Sequence, residues 1–111
     1  MISYAQREYA ETWFTRLRGL LWTDSNVWMS KQLVLRPCQS IHTIGMRYPL
    51  DIAFIDRRHR VVASYTDIPP NRVVVGPGEA QIAIERPTQD TDWYQVGERL
   101  HLKARSERNH T

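Results

Sequence analysis

Residues 49–56 read PLDIAFID, so that in an extended chain Leu50, Ile52 and Phe54 point one way and Asp51, Ala53 and Ile55 the other. Both sides are largely apolar, which predicts a strand inside a sheet with both faces covered. Asp56, Arg57, Arg58 and His59 then turn the chain into RVVASY, where Val61, Ala63 and Tyr65 alternate with Val62 and Ser64. The two segments read as a hairpin. Further strands are predicted over 31–36, 79–85 and 98–103, with a tight turn or a single helical turn over 90–97 before the last of them. Turn residues recur at short intervals, at Pro37, Gly45, Pro49, Asp56, Pro69, Pro70, Asn71, Gly76, Gly78, Pro87 and Gly97. Short apolar runs between such turns predict an all-β chain, a single β-sandwich, jelly-roll-like or barrel-like domain. One short N-terminal helix is expected, capped by Thr12, running to Arg18 and ended by Gly19. The residues before Thr12 read as a first strand in preference to the start of a longer helix. The domain is expected to cover 1–104, with a frayed basic tail over 105–111.

With 111 residues, 41% hydrophobic and 24% charged, the chain has the composition of one ordinary globular domain, which favours neither a disordered nor a membrane class. No apolar run approaches the roughly 20 residues that cross a bilayer. The N-terminus lacks a basic stretch followed by an apolar core, and the lone Cys38 forms no internal disulfide; the expected compartment is the cytoplasm. The net charge of +3 comes from arginines spread along the chain, a mild lean toward anionic partners. Its densest runs, RRHR at 57–60 and KARSERNHT from Lys103, read as a solvated hairpin tip and a frayed end. No aromatic RNA-binding motif accompanies them, so nucleic acid is the weaker partner.

RGLL at 18–21 is followed by Pro37, Cys38, Ser40, Ile41, His42, Thr43, Gly45 and Met46, then by PLDIAFID at 49–56, PPNR at 69–72, Glu85 and VGERL at 96–100. In this order and spacing the chain resembles the family known as domain of unknown function 192, small and mostly bacterial and archaeal proteins. The resemblance implies a β-sandwich or jelly-roll-like domain and no established activity. There are three departures from the family pattern: His59 stands for a hairpin glycine, Arg86 and Pro87 interrupt the stretch after Glu85, and Glu98 replaces an aspartate. His59 tolerates a positive φ better than most residues, so the turn is expected to survive.

Candidate chemistry gathers around these motifs. A reactive Cys38 needs a base or cation beside it, and His42, four residues on, lies more than about 12 Å away in an extended chain. Cys38 therefore reads as a small buried thiol. His42 suits a bridge between backbone groups at a loop entrance. No ligand-type spacing links it with His59, His101 or His110, so no metal is expected. Asp51 and Glu85 lie on or beside apolar strands, where an unsatisfied carboxylate is costly. Two readings stay open: a loop backbone or an arginine such as Arg47 or Arg72 satisfies them, or Asp51, Glu85 and His42 converge at one sheet end as the polar floor of a ligand site. Met46, Trp28 or Tyr48 would then form the apolar wall. The candidate binding residues are His42, Met46, Asp51, Arg72 and Glu85, with no catalytic residue assigned. Trp13, Trp22, Trp28 and Trp93 read as core or lid residues, though Trp22 and Trp28 flank the polar TDSN loop. The expected function is a binding or interaction module for an unknown small molecule or protein partner, without cofactor. The rival is a small hydrolase or acid/base catalyst using Asp51, Glu85 and His42, and a weaker rival is a nucleic-acid binder.

Overall fold

A computed structural model describes residues 6–10, 29 and 31–103. In chain order its strands are β1 (Gln6–Ala10), β2 (Lys31–Leu35), β3 (Ser40–His42), β4 (Leu50–Ile55), β5 (Val61–Ile68), β6 (Val73–Val75) and β7 (Ile82–Pro87). Five of them form one open sheet in the order β1-β2-β7-β4-β5, and β3 pairs with β6 as a separate two-stranded ribbon. The described part is mainly β and contains no helix. The N-terminal helix expected over 12–18, and Trp13, Trp22 and Trp28, lie outside the described residues, as does the tail from Ala104. The first strand expected before Thr12 is β1, which pairs parallel with β2. No helix among the described residues is long and apolar enough to cross a membrane.

Strand β4 is buried at all six positions because it lies between β7 and β5 and is apolar on both faces. Its two faces feed two cores. Leu50, Ile52 and Phe54 pack with Leu33, Leu35, Ile41, Met46 and Ala83 under the β3–β6 ribbon. Ala53 and Ile55 pack with Val34, Ile82, Ile84, Trp93, Tyr94 and Leu100 on the opposite face. Burying each such Leu, Ile or Phe contributes about 1.5–3 kcal/mol, so the two layers carry the fold.

The β4–β5 hairpin turns through Asp56. The amide of His59 donates to the Asp56 carbonyl at 2.9 Å, and the Asp56 carboxylate accepts the amides of Arg58 and Arg60, each at 2.9 Å. His59 has φ 67°, the conformation the family's glycine would take, and the turn survives the departure. Two register shifts interrupt the hairpin, between Leu50 and Ile52 and between Phe54 and Ile55. The second sends Val61 and Ala63 to different cores although they are two residues apart.

Two expectations need correction, and a third is narrowed. The strand expected over 98–103 reduces to one bridge, Arg60 with Arg99: backbone bonds tie Gly97, Glu98 and Leu100 to His59 and Val61 at the start of the edge strand β5, and Leu100 then turns into the core on the sheet face. Of the two alternatives expected over 90–97 the tight turn is the one present: the Glu98 amide donates to the Gln95 carbonyl at 3.0 Å, with Gly97 at φ 95°. The stretch around His42, read as a loop, is strand β3, held by pairing to β6 at Ser40–Val75, Ile41–Val74 and His42–Val73.

Candidate functional site

Asp51 is fully buried and engaged on both oxygens. Its Oδ1 accepts the Asp67 amide at 2.9 Å and the Thr88 hydroxyl at 2.9 Å, and its Oδ2 accepts Arg86 Nε at 2.8 Å. The Asp67 bond has a structural cause. The first register shift leaves an extra residue on β5 opposite Asp51, with Asp67 at φ 58°, and the carboxylate takes the amide that the interrupted ladder leaves over. Arg86 sits directly across from Asp51 on β7 and is buried with it. Its other nitrogens donate to Thr91 Oγ1 at 3.1 Å and the Thr91 carbonyl at 3.0 Å, and its guanidinium lies 4.6 Å from the Trp93 ring centroid. The partner is therefore neither Arg47 nor Arg72 but Arg86, the residue that departs from the family pattern.

Glu85 faces the other way. It lies in register with Leu33 on β2 and Ile52 on β4, on the ribbon-covered side, whereas Asp51 points to the side crossed by residues 93–103. Neighbouring strand positions take opposite faces, so Asp51 and Glu85 share no common floor. His42 is exposed on the outer side of β3, whose Ile41 packs inward, and Arg72 is exposed in the turn before β6. Met46 is core, packed with Leu50, Ile52 and Phe54.

The motif residues around His42 act as a latch. Thr43, wholly buried, donates its hydroxyl to the Pro69 carbonyl at 2.7 Å and accepts the Arg72 amide at 2.8 Å. Its carbonyl accepts the amides of Met46 at 3.1 Å and Asn71 at 3.0 Å. The SIHT and PPNR motifs are thus two halves of one backbone clasp, and the signal was the threonine. Cys38 is buried, with its amide bonded to the Gln81 carbonyl at 2.9 Å and its thiol donating to the Ser40 carbonyl at 3.2 Å.

On the other face, residues 93–103 are strapped down by polar side chains from β1 and β2. The Tyr94 hydroxyl donates to Gln32 Oε1 at 2.6 Å and accepts from Arg7 at 2.8 Å. Burial raises the Tyr94 pKa above 10.0, against the smaller opposing pull of Arg7 and Gln32. Arg36 donates to the Lys103 carbonyl and stacks 4.8 Å from the Tyr9 ring centroid, while the Lys103 amide donates to the Tyr9 hydroxyl at 3.0 Å.

Where the residues after β2, the hairpin tip and the start of β7 meet there is a recess of about 160 Å³ lined by Arg36, Pro37, Arg57, His59, Gln81 and Ile82. Among the described residues two arginines and a histidine line it and no acid does. The side chains of Arg57 and His59 make no hydrogen bond or ion pair among the described residues. The RRHR run, expected as a plain solvated tip, supplies Arg57 and His59 to this lining, and the fold adds Arg36 from just after β2. Among the described residues no group of three His, Cys, Asp or Glu is placed to hold a metal.

A family model described as Uncharacterized ACR, under the name DUF192, matches residues 3–102. No curated protein matches the chain. A solved structure, a protein of unknown function from Novosphingobium aromaticivorans DSM 12444, is similar with a TM-score of 0.62 and 18% identity over 76% of this chain. The match spans 64% of that other chain, and at this identity the likeness shows the fold alone.

Proposed function

The chain belongs to the uncharacterised DUF192 family, and from that premise we propose that it is a binding module, its ligand held in the recess between the hairpin tip and the ends of β2 and β7. One contrast carries the reading: Arg57 and His59 face the recess with side chains that engage nothing among the described residues, while Asp51, the deepest acid, already receives three donors. An acid/base catalyst needs titratable groups within reach of one reacting atom. Asp51, Glu85 and His42 point into three different surroundings, which argues against that rival. The packing of the β3–β6 ribbon over the five-stranded sheet supports a sandwich-like arrangement as the scaffold.

The recess is smaller than the roughly 300–1,000 Å³ of sites for drug-sized ligands, so it suits a small molecule or the end group of a larger one. The test is a fragment screen by amide NMR on the full chain. Binding should shift the amides of Arg57, His59, Gln81 and Ile82 saturably. Gln81→Trp, on the exposed rim, should abolish those shifts without unfolding the protein. Fragments that cluster instead at His42 and Arg72, untouched by Gln81→Trp, would refute the placement.

A further inference from the structure

Resting on that binding reading, we infer that the recess takes a small oxyanion: inorganic phosphate, or the phosphate- or carboxylate-bearing end of a small molecule. Among the described residues the lining is cationic and lacks any acid, and arginine's planar fork matches the paired oxygens of phosphate and carboxylate. Arg36 is buried, stacked over Tyr9 and tied to the Lys103 carbonyl, so it loses little further freedom when a ligand arrives. Arg57 and His59 are presented by a turn whose backbone is closed on Asp56 by four hydrogen bonds. The Asp56 carboxyl is the nearest competing acid in sequence. The Arg60 and Arg58 amides hold its pKa below 3.8, and its Oδ1 is committed to them. A volume near 160 Å³ admits a phosphate or carboxylate group and excludes a whole nucleotide.

Titration of the full chain with inorganic phosphate, and separately with acetate, at ionic strength held constant with sodium chloride, tests this by amide NMR. Saturable shifts at Arg57, His59, Gln81 and Ile82 are expected with at least one of the two, and the tighter anion tells a phosphate from a carboxylate end. Arg57→Gln should weaken that binding by at least about tenfold. Arg58→Gln removes the same charge from the same tip but lies off the recess, and should change the affinity by less than about twofold. Equal losses in the two variants, or unsaturable shifts scattered over other arginines, would mean diffuse attraction and overturn the inference. A neutral probe, dioxane, separates the two levels. Shifts at Gln81 and Ile82 with dioxane but not with either anion sink the oxyanion while leaving the recess a binding site; no shifts with any of the three sink both.

Discussion

Asp51 shows how a residue suggestive of chemistry becomes scaffold. Its three donors come from β5, from β7 and from the residue after β7, so one carboxylate repairs a bulge and fixes the end of the sheet. Removing one member of a buried ion pair leaves the other charge unsolvated; Asp51→Ala should therefore destabilise the fold by about 3–5 kcal/mol in urea denaturation. Replacing both members, Asp51→Leu with Arg86→Met, should cost less than Asp51→Ala alone. Tyr94 carries a pH signature. Its folded pKa is raised, so the unfolded chain ionises first, and its contribution is complete below pH 10 and lost as pH climbs through the higher folded value. Tyr94→Phe should remove that alkaline slope in melts taken between pH 9 and 11. At pH 7 it should cost about 1–2 kcal/mol, because Gln32 Oε1 is left without its donor. The sequence announced that Asp51 would be buried, since it sits among apolar residues on both sides. It did not announce the partner, because Arg86 becomes a neighbour only through the β4–β7 register, which joins residues 35 positions apart.

At the scale of elements, alternation in PLDIAFID was enough to identify β4 and its two covered faces, because six consecutive positions obey one period. The same rule misassigned β5, where a bulge at Val62 breaks the period, and nothing in RVVASY encodes that extra residue. Strands β3 and β6 are three residues each, too short to show a pattern, and pairing rather than propensity makes them strands. The loop that follows β6 is set by packing: a Cβ added at Gly76 would lie 2.7 Å from Phe54 Cδ1 and Cγ, inside the core, whereas one at Gly78 meets nothing within 4 Å. Gly76→Ala should destabilise by about 1–3 kcal/mol through displacement of Phe54. Gly78→Ala should stay within about 0.5 kcal/mol of the parent. Thermal melts of the two variants check the contrast, and a reversed order would deny the close approach of this loop to the β4 face.

For the molecule as a whole, the five-stranded sheet is held between two unlike covers. One is the short β3–β6 ribbon, whose outer positions Val73 and Val75 are 62% and 65% exposed, and the other is the strap 93–103, anchored by Trp93, Tyr94 and Leu100. The ribbon has three paired positions and the clasp at Thr43; the strap has apolar anchors in the core and polar ties to β1, β2 and β5. Regions with few buried apolar contacts and exposed backbone bonds open at lower free energy than the core. Amide hydrogen exchange should therefore show β4 and β7 opening only with global unfolding, at the free energy measured by denaturant. The ribbon should open at a value lower by about 2 kcal/mol or more. No residue of β3 or β6 is among the residues that line the recess, so Arg57 and His59 should keep their geometry while the ribbon opens. Phosphate should then raise protection at Gln81 and Ile82 and leave the ribbon amides unchanged. Protection rising equally in the ribbon would show that the covers are coupled through the sheet, and that β4 transmits between them as one rigid body.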